Sequence, residues 1–118
     1  MELYNYKAEV TRVVDGDTVD AFIDLGFDMH SKQRVRLYGI NAPETRTRDL
    51  IEKKHGKAAT RRLVEMLEEN KNKCIIKTSL DKKGKYGRVL GTLFIDDKNL
   101  NETLVEEGYA EPYHGEKR

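Results

Sequence analysis

A chain of 118 residues is long enough to form a single domain over 1–118, with a modest core that needs no disulfide bonds or structural metal to be stable. Hydrophobic residues (37%) and charged residues (36%) are balanced, the formal net charge is +1, and no apolar run is long enough to span a membrane. Cys74 is the only cysteine, which excludes an internal disulfide, and its strand-like setting predicts a buried, inert thiol.

The N-terminus has no basic flank followed by an apolar stretch, which a secretory signal would require. We therefore expect a cytoplasmic or intracellular protein, although a secreted protein with a trimmed signal would have the same sequence. We expect no membrane association, no obligate protein partner and a monomer.

Three strands are predicted in the first third of the chain, from the alternation of apolar and polar residues over 9–14, 18–25 and 32–40. Asp15-Gly16-Asp17 between the first two is a hairpin signal, because glycine tolerates the positive φ of a tight turn. In the third strand, Arg36 points away from the apolar side formed by Val35 and Leu37.

The middle of the chain changes from a loop to a helical pattern. Residues 45–55 are charged and lack a clear period, which predicts a loop. From 57 to 70, apolar residues recur at helical spacing, and Asn70 is a plausible end. The buried face of this helix is predicted to be Ala59, Leu63, Met66 and Leu67.

The last third is predicted to contain two more strands, over 73–80 and 86–95, joined by a turn at 81–85. Asn99 and Glu102 have the spacing of a capping box, which predicts a short helix over 100–107 that Gly108 ends, followed by an extended tail over 109–118. This order predicts a mainly β, α+β fold: a five-stranded OB-fold barrel with a helix between strands three and four and a short helix after strand five.

Charge is sorted along the chain. Residues 71–91 contain seven cations and one anion, whereas residues 96–111 contain six anions and one cation. The basic stretch suits a phosphate-bearing ligand, although a solvated lysine face is the commoner explanation of such runs.

The stretch 36–44 places a cation, an amide oxygen and a carboxylate close together. Gly39 and Pro43 break the third strand, so that Asn41 and Glu44 follow Arg36 on a turn. A strand that ends in Asn-Ala-Pro is usually only a turn. Polar groups just beyond a rigid strand are also how a scaffold fixes a site, and their oxygens suit Ca²⁺ or Mg²⁺.

Two other stretches could contribute to the same site. Asp17 lies beside Asp15 in the first turn, where carboxylates usually serve the local backbone but could bind a metal. Lys85-Tyr86-Gly87-Arg88 is either a basic turn that enters a strand or the source of a second arginine for bidentate phosphate contact.

Taken in order around five strands, Asp-Gly-Asp-Thr-Val, Arg-Leu-x-Gly-Ile-Asn-Ala-Pro-Glu and Lys-Tyr-Gly-Arg resemble the staphylococcal nuclease (thermonuclease) family. The resemblance covers residues 10–108, including Asn101-Glu102-x-Leu-Val before Gly108. It implies a Ca²⁺-dependent phosphodiesterase that cuts DNA and RNA with little sequence preference and leaves 3′-phosphate ends.

The resemblance also implies a role for individual residues at the metal. Asp17 and Asn41 would be side-chain ligands, and Ala42 would offer its backbone carbonyl. Glu44 would hold the attacking water, either as general base or through a metal-bound water.

Four further residues would contact the substrate. The resemblance implies that Arg36 and Arg88 grip the phosphate, and that Lys85 and Tyr86 border the nucleotide pocket. Arginine suits the phosphate because it stays charged and presents parallel donors.

The match breaks at Asn41, where the best-known family member has aspartate. The amide keeps one oxygen ligand but removes a negative charge, so we expect weaker metal binding or a changed metal preference. The alternative function is an OB-fold module that binds nucleic acid and cuts it weakly or not at all. Glu44 argues against this alternative, since a carboxylate in a phosphate pocket repels the ligand. The chain also stops before the third helix of longer family members, a region that carries tyrosines beside the nucleotide pocket. Tyr113 cannot be aligned with those tyrosines, and Tyr109 and Tyr113 could stack on bases or pack under the tail.

Overall fold

The structure, a computed structural model, describes residues 5–79 and 89–113. Its strands are β1 (Asn5–Asp15), β2 (Thr18–Gly26), β3 (Met29–Leu37), β4 (Ile40–Asn41), β5 (Lys73–Ser79), β6 (Val89–Ile95), β7 (Lys98–Asn99) and β8 (Glu111–Pro112). Its helices are α1 (Leu50–Glu68) and α2 (Leu100–Glu106). Neither helix in these ranges is both long and apolar enough to cross a membrane.

Five strands close into a barrel, in the order β3-β2-β1-β5-β6. Consecutive neighbours in this order pair antiparallel, and β3 pairs with β6 in parallel to close the barrel. In chain order, α1 lies between β4 and β5. Helix α2 comes after β6, the last strand of the barrel, and the short β7. The predicted α+β fold with a five-stranded OB-like barrel is therefore confirmed.

The core lies between the barrel interior and α1. Val19, Val35 and Leu93 are fully buried, as their alternation predicts. The predicted buried face of α1 is confirmed and is extended by one glycine: Gly56, Ala59, Leu63, Met66 and Leu67. Cys74 is buried, as predicted, and burial raises the pKa of its thiol to about 12.

The loop predicted over 45–55 is wrong from Leu50 onward, where α1 begins. The carboxylate of Asp49 caps the helix by accepting the backbone N–H groups of Ile51 (3.0 Å) and Glu52 (3.2 Å). Leu50 and Ile51 are 78% and 71% exposed, so the first turn has no buried apolar residue that would reveal a helical period. The helix ends at Glu68, two residues before Asn70.

The third strand ends at Leu37 rather than at residue 40. Gly39 adopts a φ of 80°, which turns the chain out of β3. Ile40–Asn41 then forms β4, which pairs with β8 in the tail that was predicted to be extended. The predicted turn at 81–85 and the first three residues of the predicted fifth strand lie outside the described residues.

The hairpin at Asp15-Gly16-Asp17 is confirmed, since β1 and β2 pair antiparallel on either side of it. The reason expected for its glycine is wrong, because Gly16 is not among the residues with positive φ. A Cβ at residue 16 would lie 2.6 Å from the Cβ of Ala59 and 3.0 Å from that of Ala42. Glycine is needed here so that α1 can pack closely on the turn.

Candidate active site

A cavity of about 340 Å³ opens where the β1–β2 turn, the end of β3 and the segment 41–46 meet. It is lined by Asp15, Asp17, Thr18, Arg36, Asn41, Ala42, Glu44 and Arg46. The fold thus brings together the five predicted site residues that the structure describes, namely Asp17, Arg36, Asn41, Ala42 and Glu44. Arg88, Lys85 and Tyr86 lie outside the described residues.

Asp17 is fixed in the cavity wall, where it is only 8% exposed. Its Oδ2 accepts the backbone N–H of Ala42 (2.9 Å), and its Oδ1 accepts the hydroxyl of Thr18 (3.0 Å). Its backbone carbonyl accepts the N–H of Leu37 (2.8 Å), which joins the turn to β3. A buried carboxylate needs such partners, and they fix its orientation.

Arg36 connects Asp17 with Asn41. It lies opposite Thr18 in the β2–β3 pair, which places it beside the turn. Its Nη1 is 3.5 Å from Oδ2 of Asp17 and donates to the carbonyl of Leu37 (3.1 Å), while its Nη2 donates to Oδ1 of Asn41 (3.2 Å). The oxygens that the resemblance assigns to a metal therefore also contact a guanidinium.

Glu44 and Arg46 line the same cavity from its exposed side. Neither side chain makes a hydrogen bond or ion pair with another residue in 5–79 or 89–113. A carboxylate and a guanidinium are thus available to a ligand at the mouth of the cavity. Sequence reasoning missed Arg46, although a cation two residues after Glu44 was the available signal.

The segment that carries Glu44 is held from two sides. The hydroxyl of Thr45 donates to Oδ1 of Asp15 (2.6 Å), which ties the segment to the end of β1. On the other side, a Cβ at Gly56 would lie 2.6 Å from the carbonyl oxygen of Glu44 and 2.8 Å from that of Pro43. Gly56 was missed because it fell at the edge of a predicted loop, where a glycine carries little information.

Asn101 supports the exit from β3 and is itself 2% exposed. Its Oδ1 accepts the N–H of Leu93 (3.2 Å), and its Nδ2 donates to the carbonyls of Tyr38 (2.9 Å) and Gly91 (3.2 Å). These bonds fix the turn at Tyr38 and Gly39 against β6. The position of Asn41 therefore depends on α2 as well as on the barrel.

Tyr109 and Tyr113 lie near the site but not in it. Tyr109 is half-buried and packs against the hydrophobic core. The backbone N–H of Tyr113 donates to the carbonyl of Gly39 (2.8 Å), which continues the pairing of β4 with β8.

The residues that line the cavity can offer a metal only hard oxygen donors: the carboxylates of Asp15, Asp17 and Glu44, the hydroxyl of Thr18, the amide of Asn41 and backbone carbonyls such as that of Ala42. This chemistry fits Ca²⁺ or Mg²⁺, whose remaining ligands can be water. Over the part of the chain that the structure describes, no three His, Cys, Asp or Glu residues form a metal-binding group. A metal here would thus depend on the neutral oxygens and on water.

Comparison with known proteins identifies the family. The family described as Staphylococcal nuclease homologue matches residues 34–118. Endonuclease YncB of Bacillus subtilis (strain 168) is 30% identical over 99 residues, which cover 84% of this chain and 44% of the relative. The SPbeta prophage-derived endonuclease YokF of the same organism is 32% identical over 84% of this chain and 31% of the relative.

Thermonuclease of Staphylococcus intermedius is 35% identical over 101 residues, which cover 86% of this chain and 56% of the relative. The chain thus spans between about a third and just over half of the length of these relatives. The family match covers well over half of the chain, and the barrel and the residues of the cavity agree with it. The chain belongs to the staphylococcal nuclease homologue family.

Proposed function

We propose that the chain hydrolyses phosphodiester bonds of DNA or RNA in the 340 Å³ cavity, with little sequence specificity. Family membership and the names of the relatives, which include endonuclease and thermonuclease, support this activity. The observation that carries it is the position of Arg36, which contacts both Asp17 and Asn41 in a cavity that Glu44 also lines.

Arg36 would stabilise the charge that develops on the phosphate. Attack by water adds charge to the equatorial oxygens, and a guanidinium that is already oriented stabilises it without reorganising solvent. The contacts of Arg36 with Asp17 and with the carbonyl of Leu37 provide this orientation. By resemblance, Arg88 would bind the same phosphate, and Lys85 and Tyr86 would border the nucleotide.

Glu44 would act as the general base. It takes a proton from water as the water oxygen bonds to phosphorus. The bond from phosphorus to the 5′ oxygen breaks, the departing 5′ oxygen takes a proton from solvent to become a hydroxyl, and a 3′-phosphate remains. A carboxylate in this role contributes roughly 10²- to 10⁴-fold to the rate. The absence of a partner for Glu44 among the described residues supports this role, since the carboxylate is available to water.

A divalent cation, Ca²⁺ by resemblance, would be held by the side chains of Asp17 and Asn41 and by the backbone carbonyl of Ala42. When bound, it would supply electrophilic stabilisation of a phosphoryl oxygen. Glu44 would contact it through water.

The alternative is a module that binds nucleic acid and cuts it weakly or not at all. One observation favours it: the described residues contain no group of three acidic or other strong ligands that could hold a metal. Steeply salt-dependent binding without product under any divalent ion would support this alternative.

The test is a cleavage assay on single-stranded DNA and on RNA with Ca²⁺, Mg²⁺, Mn²⁺ or a chelator. We compare the parent with Glu44→Gln and with the control variant Glu68→Gln. Glu68 is an exposed glutamate on α1, and the control makes the same substitution away from the cavity. The expected loss for Glu44→Gln is about 100-fold or more, whereas Glu68→Gln should cut like the parent. A parent that yields no product with any ion, or a Glu44→Gln variant with parental activity, overturns the proposal.

A further inference from the structure

Positive charge is concentrated in the stretch of sequence that follows the cavity residue Glu44. Residues 46–62 contain seven cations and two anions, although the whole chain has a net charge of only +1. Within residues 5–79 and 89–113, Arg62 is the one member of this group in an ion pair, at 2.6 Å from Glu107. The cations of this group that form no ion pair with another described residue are Arg46, Arg48, Lys53, Lys54, Lys57 and Arg61.

Three of these cations form a row on α1. Lys53, Lys57 and Arg61 are spaced at i, i+4 and i+8, so they share one side of the helix over about 12 Å. Lys57 and Arg61 are exposed, and Lys53 is half-buried. Like charges at this spacing destabilise a helix, and an anionic ligand would remove that repulsion.

The row begins beside the cavity. Gly56 lies against the backbone of Glu44, and at 100° per residue Lys53 and Lys57 are about 60° and 100° from it in one direction around the helix. Arg46 lines the cavity itself and follows Glu44 by two residues.

The opposite side of α1 has acidic residues on and beside it. Turning the other way from Gly56, the helix presents Glu52 and His55, which line a second cavity of about 560 Å³ together with Asp49 and Glu111. Three carboxylates would repel a polyanion there. The row of Lys53, Lys57 and Arg61 therefore lies on the other side of the helix from these carboxylates.

We propose that Arg46, Lys53, Lys57 and Arg61, here called the α1 track, bind phosphates of a single nucleic-acid strand beyond the phosphate that is cut. The proposal rests on the proposed function, because the track extends from the cavity assigned to hydrolysis. It makes the substrate a polynucleotide, since only a strand of several nucleotides reaches from the cavity along α1. Each phosphate that the track neutralises releases counterions, so binding should depend on salt.

The experiment measures binding without cleavage. The affinity of a fluorescent 16-nucleotide single-stranded DNA is measured in chelator over a range of salt concentrations. The test variant combines Lys53→Gln, Lys57→Gln and Arg61→Gln, because glutamine removes the charge and remains a good helix former. The control combines Lys7→Gln, Lys32→Gln and Lys73→Gln, three exposed strand residues whose loss changes the net charge equally.

We expect the track variant to bind about tenfold more weakly at low salt, and its slope of log affinity against log salt to fall by about 2, as three lost phosphate contacts predict. The control should change less than twofold. Parental affinity and slope in the track variant, or an equal loss in the control, overturn the proposal. This test measures binding only, so it can be carried out even if the protein never cuts nucleic acid. If the parent cuts nucleic acid but the track variant binds it with parental affinity, the α1 track is refuted and the proposed function is not.

Arg46→Gln extends the test to the part of the track outside the helix, with Arg48→Gln as its control. Arg48 is exposed and does not line the cavity. We expect Arg46→Gln to weaken binding of the 16-nucleotide strand about threefold and to lower the salt slope by about 0.7, with no such change for Arg48→Gln. Equal losses in the two variants would show general attraction rather than a track.

Discussion

Gly56 of α1 lies directly against the backbone of Glu44. A Cβ at residue 56 would be 2.6 Å from the carbonyl oxygen of Glu44, closer than real Cβ atoms essentially ever approach another atom. Because the obstructing atom belongs to the backbone, it cannot rotate away as the end of a side chain can. The helix therefore determines where Glu44 lies, although no partner among the described residues holds its carboxylate.

Gly56→Ala should lower cleavage at least 10-fold, because the segment that carries Glu44 must shift and a displacement of about 1 Å can cost 10²-fold. The loss should appear in kcat more than in KM, since the exposed substrate contacts remain. Ala58→Gly is the matched control: it lies on the exposed side of the same helix and should cost about 1 kcal/mol of stability while preserving kcat. A Gly56→Ala variant with the parental kcat would show that the contact does not position Glu44.

Asn101→Ala should destabilise the fold by about 3 kcal/mol or more, because it leaves the N–H of Leu93 and the carbonyls of Tyr38 and Gly91 without their side-chain partner. Urea unfolding measures the loss. Asn99→Ala provides the comparison, since it removes only the cap of α2 and should cost about 1 kcal/mol. Equal losses in the two variants would contradict a structural role for the buried network.

The barrel and the buried face of α1 could be predicted from the sequence because burial imposes periods of two and 3.6 residues on the apolar positions. The start of α1 could not be found in this way. Its first apolar residues, Leu50 and Ile51, face solvent, so the period begins only where the helix reaches the barrel. The available signal was local: Asp49 and Glu52 have the spacing of a capping box.

Some residues of the candidate site could likewise be predicted from the sequence, and others could not. Arg36, Asn41 and Glu44 could be grouped from the sequence because they lie within nine residues on one strand and its turn. Gly56 and Asn101 could not be assigned, because their contacts with Glu44 and Tyr38 span 12 and 63 positions of sequence and exist only in the folded barrel. Gly16 shows the same limit, since its local pattern indicates a turn and only packing against Ala59 explains the glycine.

Cys74 should make stability fall at alkaline pH. Burial raises the pKa of its thiol from 9.0 to about 12, so below pH 9 both the folded and the unfolded chain hold the proton. Between pH 9 and about 12 the unfolded chain releases this proton while the folded chain keeps it, which lowers the free energy of unfolding by at most about 1.4 kcal/mol per pH unit. The measurement is urea unfolding of the parent and of Cys74→Ala across this range.

Other groups also titrate above pH 9, so the prediction concerns the difference between the two proteins. The gap in stability between the parent and Cys74→Ala should narrow as the pH rises from 9 towards 12. A gap that stays constant would show that the thiol does not remain protonated in the folded protein.

Asn41→Asp should strengthen calcium binding about tenfold, because the affinity of an oxygen site rises with the charge of its ligands. The substitution keeps an oxygen near Nη2 of Arg36, which now donates to Oδ1 of Asn41 at 3.2 Å, so the local geometry should persist. Calorimetric titration with Ca²⁺ measures the change without reference to activity. Asn5→Asp, at the exposed start of β1, adds the same charge away from the cavity and should leave the affinity unchanged.

The same pair of variants separates the two functional hypotheses. If Asn41 limits a working nuclease, the tighter calcium binding of Asn41→Asp should be accompanied by faster cleavage at low Ca²⁺, and a chelator should abolish both. If calcium binds more tightly and single-stranded DNA is bound but no product forms, the chain binds nucleic acid without cutting it. Unchanged calcium affinity in Asn41→Asp would instead show that residue 41 is not a metal ligand, because the added carboxylate would then lie outside the coordination sphere and serve only Arg36.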